Sequence, residues 1–284
     1  MLKKIKLLLA TSRPISWVNT AYPFAAGYLM TGGMPDTRFW VATLFFLIPY
    51  NLLMYGVNDV YDYESDIRNP RKGGIEGAVT PKKYHALILW AASLSCLPFV
   101  VALILTGSGA AAYTLVVVVF FVIAYSLKGL RFKEIPFLDS ATSSMHFVGP
   151  LLYALSLHGF PASAWPFAAA FFLWGAASQA FGAVQDVIPD REAGIRSVAT
   201  VLGARRTVRL AVAGYFAACL LVALQGGVAV IVAVAGSAYI VSISSFWNIT
   251  DKRAATARAG WKRFLWLNYA VGAVVTICLI VASR

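Results

Sequence analysis

Residues 38–66 read RFWVATLFFLIPYNLLMYGVNDVYDYESD. A long apolar run passes directly into a segment in which aspartate recurs. A helix rises about 1.5 Å per residue, so about 20 mostly apolar residues cross the roughly 30 Å of a bilayer's hydrocarbon. The stretch therefore predicts a membrane-spanning helix over 38–60 that ends in carboxylates at the membrane surface.

The rest of the chain follows the same pattern. Of its 284 residues, 60% are hydrophobic and 13% charged, and the mean hydropathy is +0.72. That profile excludes a disordered chain and an ordinary soluble domain. Apolar runs separated by charge or by Gly and Pro predict helices over 14–34, 38–60, 85–106, 110–127, 137–158, 163–187, 206–224, 227–248 and 261–282. The expected fold is all-α: a polytopic membrane protein of about nine transmembrane helices, forming one domain over 1–284. Gln225-Gly226-Gly227 is the weakest break. The opening MLKKIKLLLA looks like a signal peptide, but its apolar run is short and Arg13-Pro14 interrupts it. Residues 1–13 are expected to form a basic cytoplasmic arm.

Charge predicts orientation. The net charge is +12 and the pI about 9.8. In a soluble protein this would point to nucleic acid; in a membrane protein, basic loops mark the cytoplasmic side. The N-terminal arm and the segments 59–84, 128–136, 188–209 and 249–263 hold 22 of the 24 Lys and Arg residues. The reading is a multi-pass cell-membrane protein with a cytoplasmic N-terminus, an extracytoplasmic C-terminus and no nucleic-acid partner. Of twelve acidic residues only Asp36 lies on the outer side. The positive-inside rule does not require that, so the cytoplasmic face has another use for carboxylates.

Those carboxylates form two clusters. At about 100° per residue, Asn58, Asp62 and Asp66 stay on one helical stripe, with Asp59 beside it. Carboxylates on one face repel one another unless a cation joins them, and oxygen ligands without His or Cys favour Mg²⁺ over zinc. The second cluster, in Gln185-Asp186-Val187-Ile188-Pro189-Asp190-Arg191-Glu192, again spaces Asp186 and Asp190 by four, and Pro189 is expected to kink the last turn. The clusters end spans four apart, and each leads into a basic loop. This predicts two pseudo-repeated four-helix halves plus one helix, a layout in which sites lie between repeats.

Arg68, Arg71 and Lys72 come after the first cluster, Arg191 and Arg196 after the second, and Lys128, Arg131 and Lys133 lie in the loop after the fourth span. Carboxylates that hold Mg²⁺, ringed by Arg and Lys, suit a diphosphate. For any single basic residue the competing explanation is topology. There is no GxxxxGK[ST] or GxGxxG, which argues against nucleotide hydrolysis. His85, His146 and His158 are too scattered for a metal site. Cys96, Cys219 and Cys278 lie in apolar runs without metal-ligand spacing and read as buried thiols. An ion-coupled transporter is the competing class, and it predicts carboxylates deep in spans.

NDVYDYESD with RNPRKGG, and QDVIPDREAGIRS, resemble the two aspartate-rich motifs of the UbiA superfamily of intramembrane prenyltransferases. YSLKGLRFKEIPF resembles the basic loop between them. SRPISWVNTAYPF, FFLIPYN, FLWGAASQ, FGAVQDV and FWNITD resemble one branch, the bacterial lycopene elongases. The resemblance covers nearly the whole chain. It implies Mg²⁺ ligation by Asn58, Asp62, Asp66, Asp186 and Asp190, with Asp59 supporting the metal group, and a catalytic role for the four aspartates Asp62, Asp66, Asp186 and Asp190. It implies diphosphate contacts by Arg131 and Lys133, with Lys128, Arg71, Lys72 and Arg191 completing the basic set. Many members carry a further aspartate three residues before the first aspartate of the second motif, Asp186 here; in this sequence that residue is Ala183. The branch implies dimethylallyl diphosphate as donor and lycopene, within membrane lipid, as acceptor in carotenoid biosynthesis. Other branches imply an aromatic acid, a quinone precursor, a porphyrin alcohol or a glycerol ether as acceptor.

Overall fold

The computed structural model describes residues 2–67 and 80–283, and every regular element among them is helical. The chain forms two compact units. One comprises Met1–Phe132 and Met145–Pro161; the other comprises Lys133–Ser144 and Ala162–Arg284.

The first unit contains α1 (Leu2–Thr11), α2 (Val18–Met30), α3 (Thr37–Leu47), α4 (Pro49–Tyr61), α5 (Tyr63–Asp66), α6 (His85–Thr106), α7 (Gly109–Ser126) and most of α8 (Leu138–Leu157). α4 is its hub and packs on α1, α3, α6 and α7. The single helix expected over 38–60 is broken at Ile48-Pro49, between α3 and α4. Proline lacks an N–H, and its ring clashes with the carbonyl four residues back. Carbonyls released within a membrane need new partners. Asn51 supplies them: its Nδ2 donates to the carbonyls of Phe46 (2.9 Å) and Leu47 (3.1 Å). The Thr20 hydroxyl donates to the same Phe46 oxygen at 2.7 Å. Around the break, Phe24, Phe46, Tyr50 and Tyr153 are buried, with the Phe24 ring 5.4 Å from Phe46 and 5.9 Å from Tyr153. One turn before the aspartates, a β-carbon on Gly56 would stand 2.8 Å from the Ile88 side chain. Glycine there lets α4 and α6 approach closely.

The second unit contains the first turns of α8, α9 (Trp165–Val184), α10 (Val187–Glu192), α11 (Val198–Leu202), α12 (Ala204–Ala223), α13 (Ala229–Ser244) and α14 (Arg258–Ala282). α12 packs on α9 and α13, and α14 on α13 and α9. The buried hydroxyls of Ser178 and Tyr215 lie 3.0 Å apart, and the Tyr239 hydroxyl donates to Asn268 at 3.0 Å. The weakest sequence break is real. Gly226 and Gly227 have φ of +74° and +52°, a backbone that side-chain-bearing residues rarely adopt.

Among the described residues, six helical runs are long and apolar enough to cross a membrane: Thr37–Tyr61, Lys82–Thr106, Gly109–Ser126, Ala162–Val184, Ala204–Ala223 and Asp251–Ala282. α2, α8 and α13 occupy the remaining expected stretches. α2 has 13 residues and α13 has 16, and the first half of α8 is rich in Ser and Thr. The compact units divide within α8 rather than after the fourth expected span. The later turns of α8 pack into the first unit, where the Tyr50 hydroxyl donates to the His146 carbonyl at 3.0 Å.

Candidate active site

The first aspartate cluster lies where α4 passes into α5. Asp62 caps α4, but the register carries through: the Asp62 N–H donates to the Asn58 carbonyl at 2.9 Å and the Asp66 N–H to the Asp62 carbonyl at 2.8 Å. Asn58, Asp62 and Asp66 therefore share one stripe, as the spacing predicts. Asp62 and Asp66 are buried, which is costly for a carboxylate without compensation. The Asn58 amide donates to Asp62 Oδ2 at 2.9 Å and to the buried Ser126 hydroxyl at 3.0 Å. The Arg131 guanidinium comes within 3.7 Å of Asp62 Oδ1, and its Nη1 is 3.5 Å from the Tyr61 carbonyl. Arg131 reaches this position from a left-handed backbone, φ +42°, just beyond Gly129 at φ +99°. The loop after α7 thus delivers a cation to the first cluster.

Asp59 is occupied differently. Its carboxylate pairs with Arg13 at 2.7 Å, on the side of α4 about 100° round from Asn58. Sequence reading groups Asp59 with the metal-holding residues, whereas the structure ties it to the end of α1. Lys128 is exposed beyond α7. Arg68, Arg71 and Lys72 lie outside the described residues.

The second cluster lies in the second unit. α9 ends at Val184 and α10 begins at Val187, with Asp186 between them. The Asp190 N–H donates to the Asp186 carbonyl at 2.9 Å, so the two aspartates keep i, i+4 spacing. The expected kink at Pro189 is absent: the chain breaks earlier, at Gln185-Asp186, and Pro189 sits in the first turn of α10, where no helical N–H is needed. Both aspartates are half-buried. Arg191, expected among the diphosphate contacts, is held within the scaffold. Its Nε and Nη2 donate to the Thr200 carbonyl at 2.9 and 2.7 Å, and its Nη1 pairs with Asp251 at 2.6 Å. Asp251 also accepts the Ala204 N–H at 2.7 Å, which caps α12. Buried Asp139, at the start of α8, accepts the Val198 N–H at 3.0 Å. Lys133, half-buried, lies in the short turn before α8 and belongs to this unit.

Sequence reading missed the roles of Arg13, Ser126, Asp139 and Asp251. Arg13 read only as the end of a basic arm. The others are single polar residues whose partners are distant in sequence, so no local pattern marks them. His146 is buried, its Nε2 3.4 Å from the Phe121 carbonyl: a satisfied interior histidine. The three cysteines are free thiols, two of them buried.

The donor set fits Mg²⁺. Asn58, Asp62, Asp66, Asp186 and Asp190 offer only oxygen among their metal-binding atoms. Among the described residues, no three of His, Cys, Asp and Glu gather into a ready-made cage. Mg²⁺ characteristically takes one or two carboxylates and completes its octahedron with water and substrate phosphates.

The model of the UbiA prenyltransferase family matches residues 20–268. The chain belongs to this family. It is an integral-membrane prenyltransferase, and the transporter reading is set aside. A "Lycopene elongase/hydratase" of Corynebacterium glutamicum is 54% identical over 282 residues, covering 99% of this chain and 98% of the relative. A "C(50) beta-cyclic carotenoids biosynthesis protein" of Dietzia sp. is 51% identical over 269 residues, covering 94% of this chain and 62% of the relative. The fold is shared with a UbiA homologue of Archaeoglobus fulgidus bound to DMAPP and Mg²⁺: TM-score 0.69 at 18% identity, over 93% of this chain and 98% of the other.

Proposed function

We propose that the protein transfers a dimethylallyl group from dimethylallyl diphosphate to lycopene, and that both units serve this reaction as one domain over 1–284. One observation carries the reading: a stripe of Asn58 and the buried Asp62 and Asp66, with the Arg131 guanidinium beside Asp62. The identity of the acceptor rests on the name of the C. glutamicum relative, and the donor is the one that the resemblance to that branch implies.

Asn58, Asp62, Asp66, Asp186 and Asp190 would hold Mg²⁺, which when bound neutralises diphosphate oxygens and favours their departure. Arg131, Lys133 and Lys128, with Arg71 and Lys72, compensate the remaining charge of the leaving group. The bond between the allylic carbon and the diphosphate oxygen breaks. A terminal alkene of the acceptor attacks the allylic carbon and forms a C–C bond. The charge left on the acceptor is discharged by water, which gives its proton to solvent; this is the second activity in the relative's name. An alkene acceptor requires no phenol-activating base. Arg191 serves the scaffold, and Asp59 supports the stripe from outside it.

The topology we propose has nine spans, a cytoplasmic N-terminus and an extracytoplasmic C-terminus. The distribution of 22 of 24 basic residues supports it. The test of the acceptor is purified protein given dimethylallyl diphosphate and Mg²⁺ with either lycopene or 4-hydroxybenzoate. The expected product is a prenylated, hydroxylated lycopene. Prenylated 4-hydroxybenzoate with unchanged lycopene would contradict the reading.

A further inference from the structure

We propose that Arg13 is a positioning residue that sets the orientation of the metal-holding stripe. The inference rests on the diphosphate reading of the site. Arg13 grips α4 at two successive turns. Its guanidinium stacks 4.1 Å from the Tyr55 ring centroid, and its Nη2 pairs with Asp59 Oδ1 at 2.7 Å. Tyr55 and Asp59 are four apart and share one stripe. Asn58, Asp62 and Asp66 follow on the same helical run, with Asn58 about 100° round from Asp59. Holding the first stripe fixes the roll of the second. The restraint matters here because Asp62 caps α4 and only the four-residue α5 follows it, so the last turn of the stripe has a short helical extension beyond it.

The grip is itself rigidly mounted. The Asp59 side chain is 1% exposed and that of Arg13 is 17% exposed, so solvent screens the pair little. Arg13 adopts φ +50°, an uncommon backbone for a side-chain-bearing residue, of a kind that clusters at functional positions. The turn is locked on both sides: the Ser12 hydroxyl donates to the Leu9 carbonyl at 2.8 Å, and the Trp17 indole donates to the Ser12 carbonyl at 3.0 Å. The pair also engages Asp59 Oδ1, which leaves Asn58, Asp62 and Asp66 as the proposed ligands of this end.

The test is Mn²⁺ binding to the full-length, detergent-solubilised protein in the presence of inorganic pyrophosphate, read by electron paramagnetic resonance, alongside kcat and KM. Arg13→Ala should weaken Mn²⁺ binding about tenfold or more, the scale for a residue that orients metal ligands. It should lower kcat in proportion and change the donor KM less. Arg13→Lys should recover part of both, because the charge remains without the planar fork. The double variant Arg13→Ala/Asp59→Asn should bind Mn²⁺ better than Arg13→Ala, since the buried charge that faced Arg13 is removed with it, yet more weakly than the parent. Arg13→Ala that binds Mn²⁺ and turns over within about twofold of the parent would overturn the proposal. So would a loss confined to thermal stability. If Arg13→Ala does not fold, a double variant equal to the parent in Mn²⁺ affinity would overturn it. A parent that binds no Mn²⁺ with pyrophosphate would overturn the diphosphate reading itself, a distinct result.

Discussion

In the first unit the i→i+4 ladder reaches back through Asp62 to Asn58, whereas in the second it stops at Asp186, whose N–H donates three residues back, to the Ala183 carbonyl at 3.1 Å. The two ends are also secured differently. The first is held from the side, by Ser126 on α7, by Arg131 after it and by Arg13 after α1. The second is held by residues further along the chain: the Ile195 N–H donates to the Asp190 carbonyl at 2.8 Å, and Arg191 ties the segment to Thr200 and Asp251. One sequence device, a pair of aspartates four apart, is thus mounted in two ways. Around the first, the neighbouring cations stand close to the carboxylates and should affect chemistry. Around the second, the neighbouring cation braces the backbone and should affect stability.

The largest expected effect is common to both ends. Asp62→Ala and Asp186→Ala should each abolish turnover while leaving the protein folded and inserted in the membrane, because no adjacent residue replaces either oxygen ligand. Activity assays with matched expression check this, and near-normal activity in both variants would break the two-cluster account.

The next effect separates the ends. Arg131→Ala should lower kcat by roughly 10²-fold, the scale for losing one preorganised donor to developing charge. Arg131→Lys should recover only part of that, since the guanidinium fork is gone. Arg191→Ala should behave differently. It removes contacts to Thr200 and Asp251 that are partly exposed, so the expected cost is about 1 kcal/mol of stability, with most of kcat retained. Thermal unfolding and kcat measured on the same preparations decide this. A large kcat loss with unchanged stability would make Arg191 a diphosphate ligand after all. At the small end, Asp66→Glu should be milder than Asp62→Ala, because the charge stays and the ligand is displaced. Arg205→Ala, which lies outside both motifs, should change turnover little.

Much of this organisation is legible in the sequence because it is periodic. Apolar runs locate the helices, and fourfold spacing groups Asn58 with Asp62 and Asp66. What escapes is non-local or depends on backbone detail. Pro49 is visible, but its repair by Asn51 and Thr20 requires α2 to lie against the break. Pro189 looks like a kink, yet the helix had already ended, which makes a proline in the first turn harmless. Asp59 reads as a ligand because its neighbours are expected to be ligands; its pairing with Arg13, 46 residues earlier, leaves no local pattern. Arg191 sits in a motif whose cations are expected to meet diphosphate, and its engagement with Asp251 depends on a loop 60 residues away.

The central claim is that release of diphosphate needs both aspartate ends. Its most direct test is release of inorganic diphosphate from dimethylallyl diphosphate, with Mg²⁺ and lycopene present, by the parent and by Asp62→Asn and Asp186→Asn. These substitutions keep side-chain size and remove one negative charge from one end at a time. The account predicts that the parent releases diphosphate and that each single variant loses nearly all of that release. Release at the parental rate by either variant would mean that one end suffices and would contradict the claim.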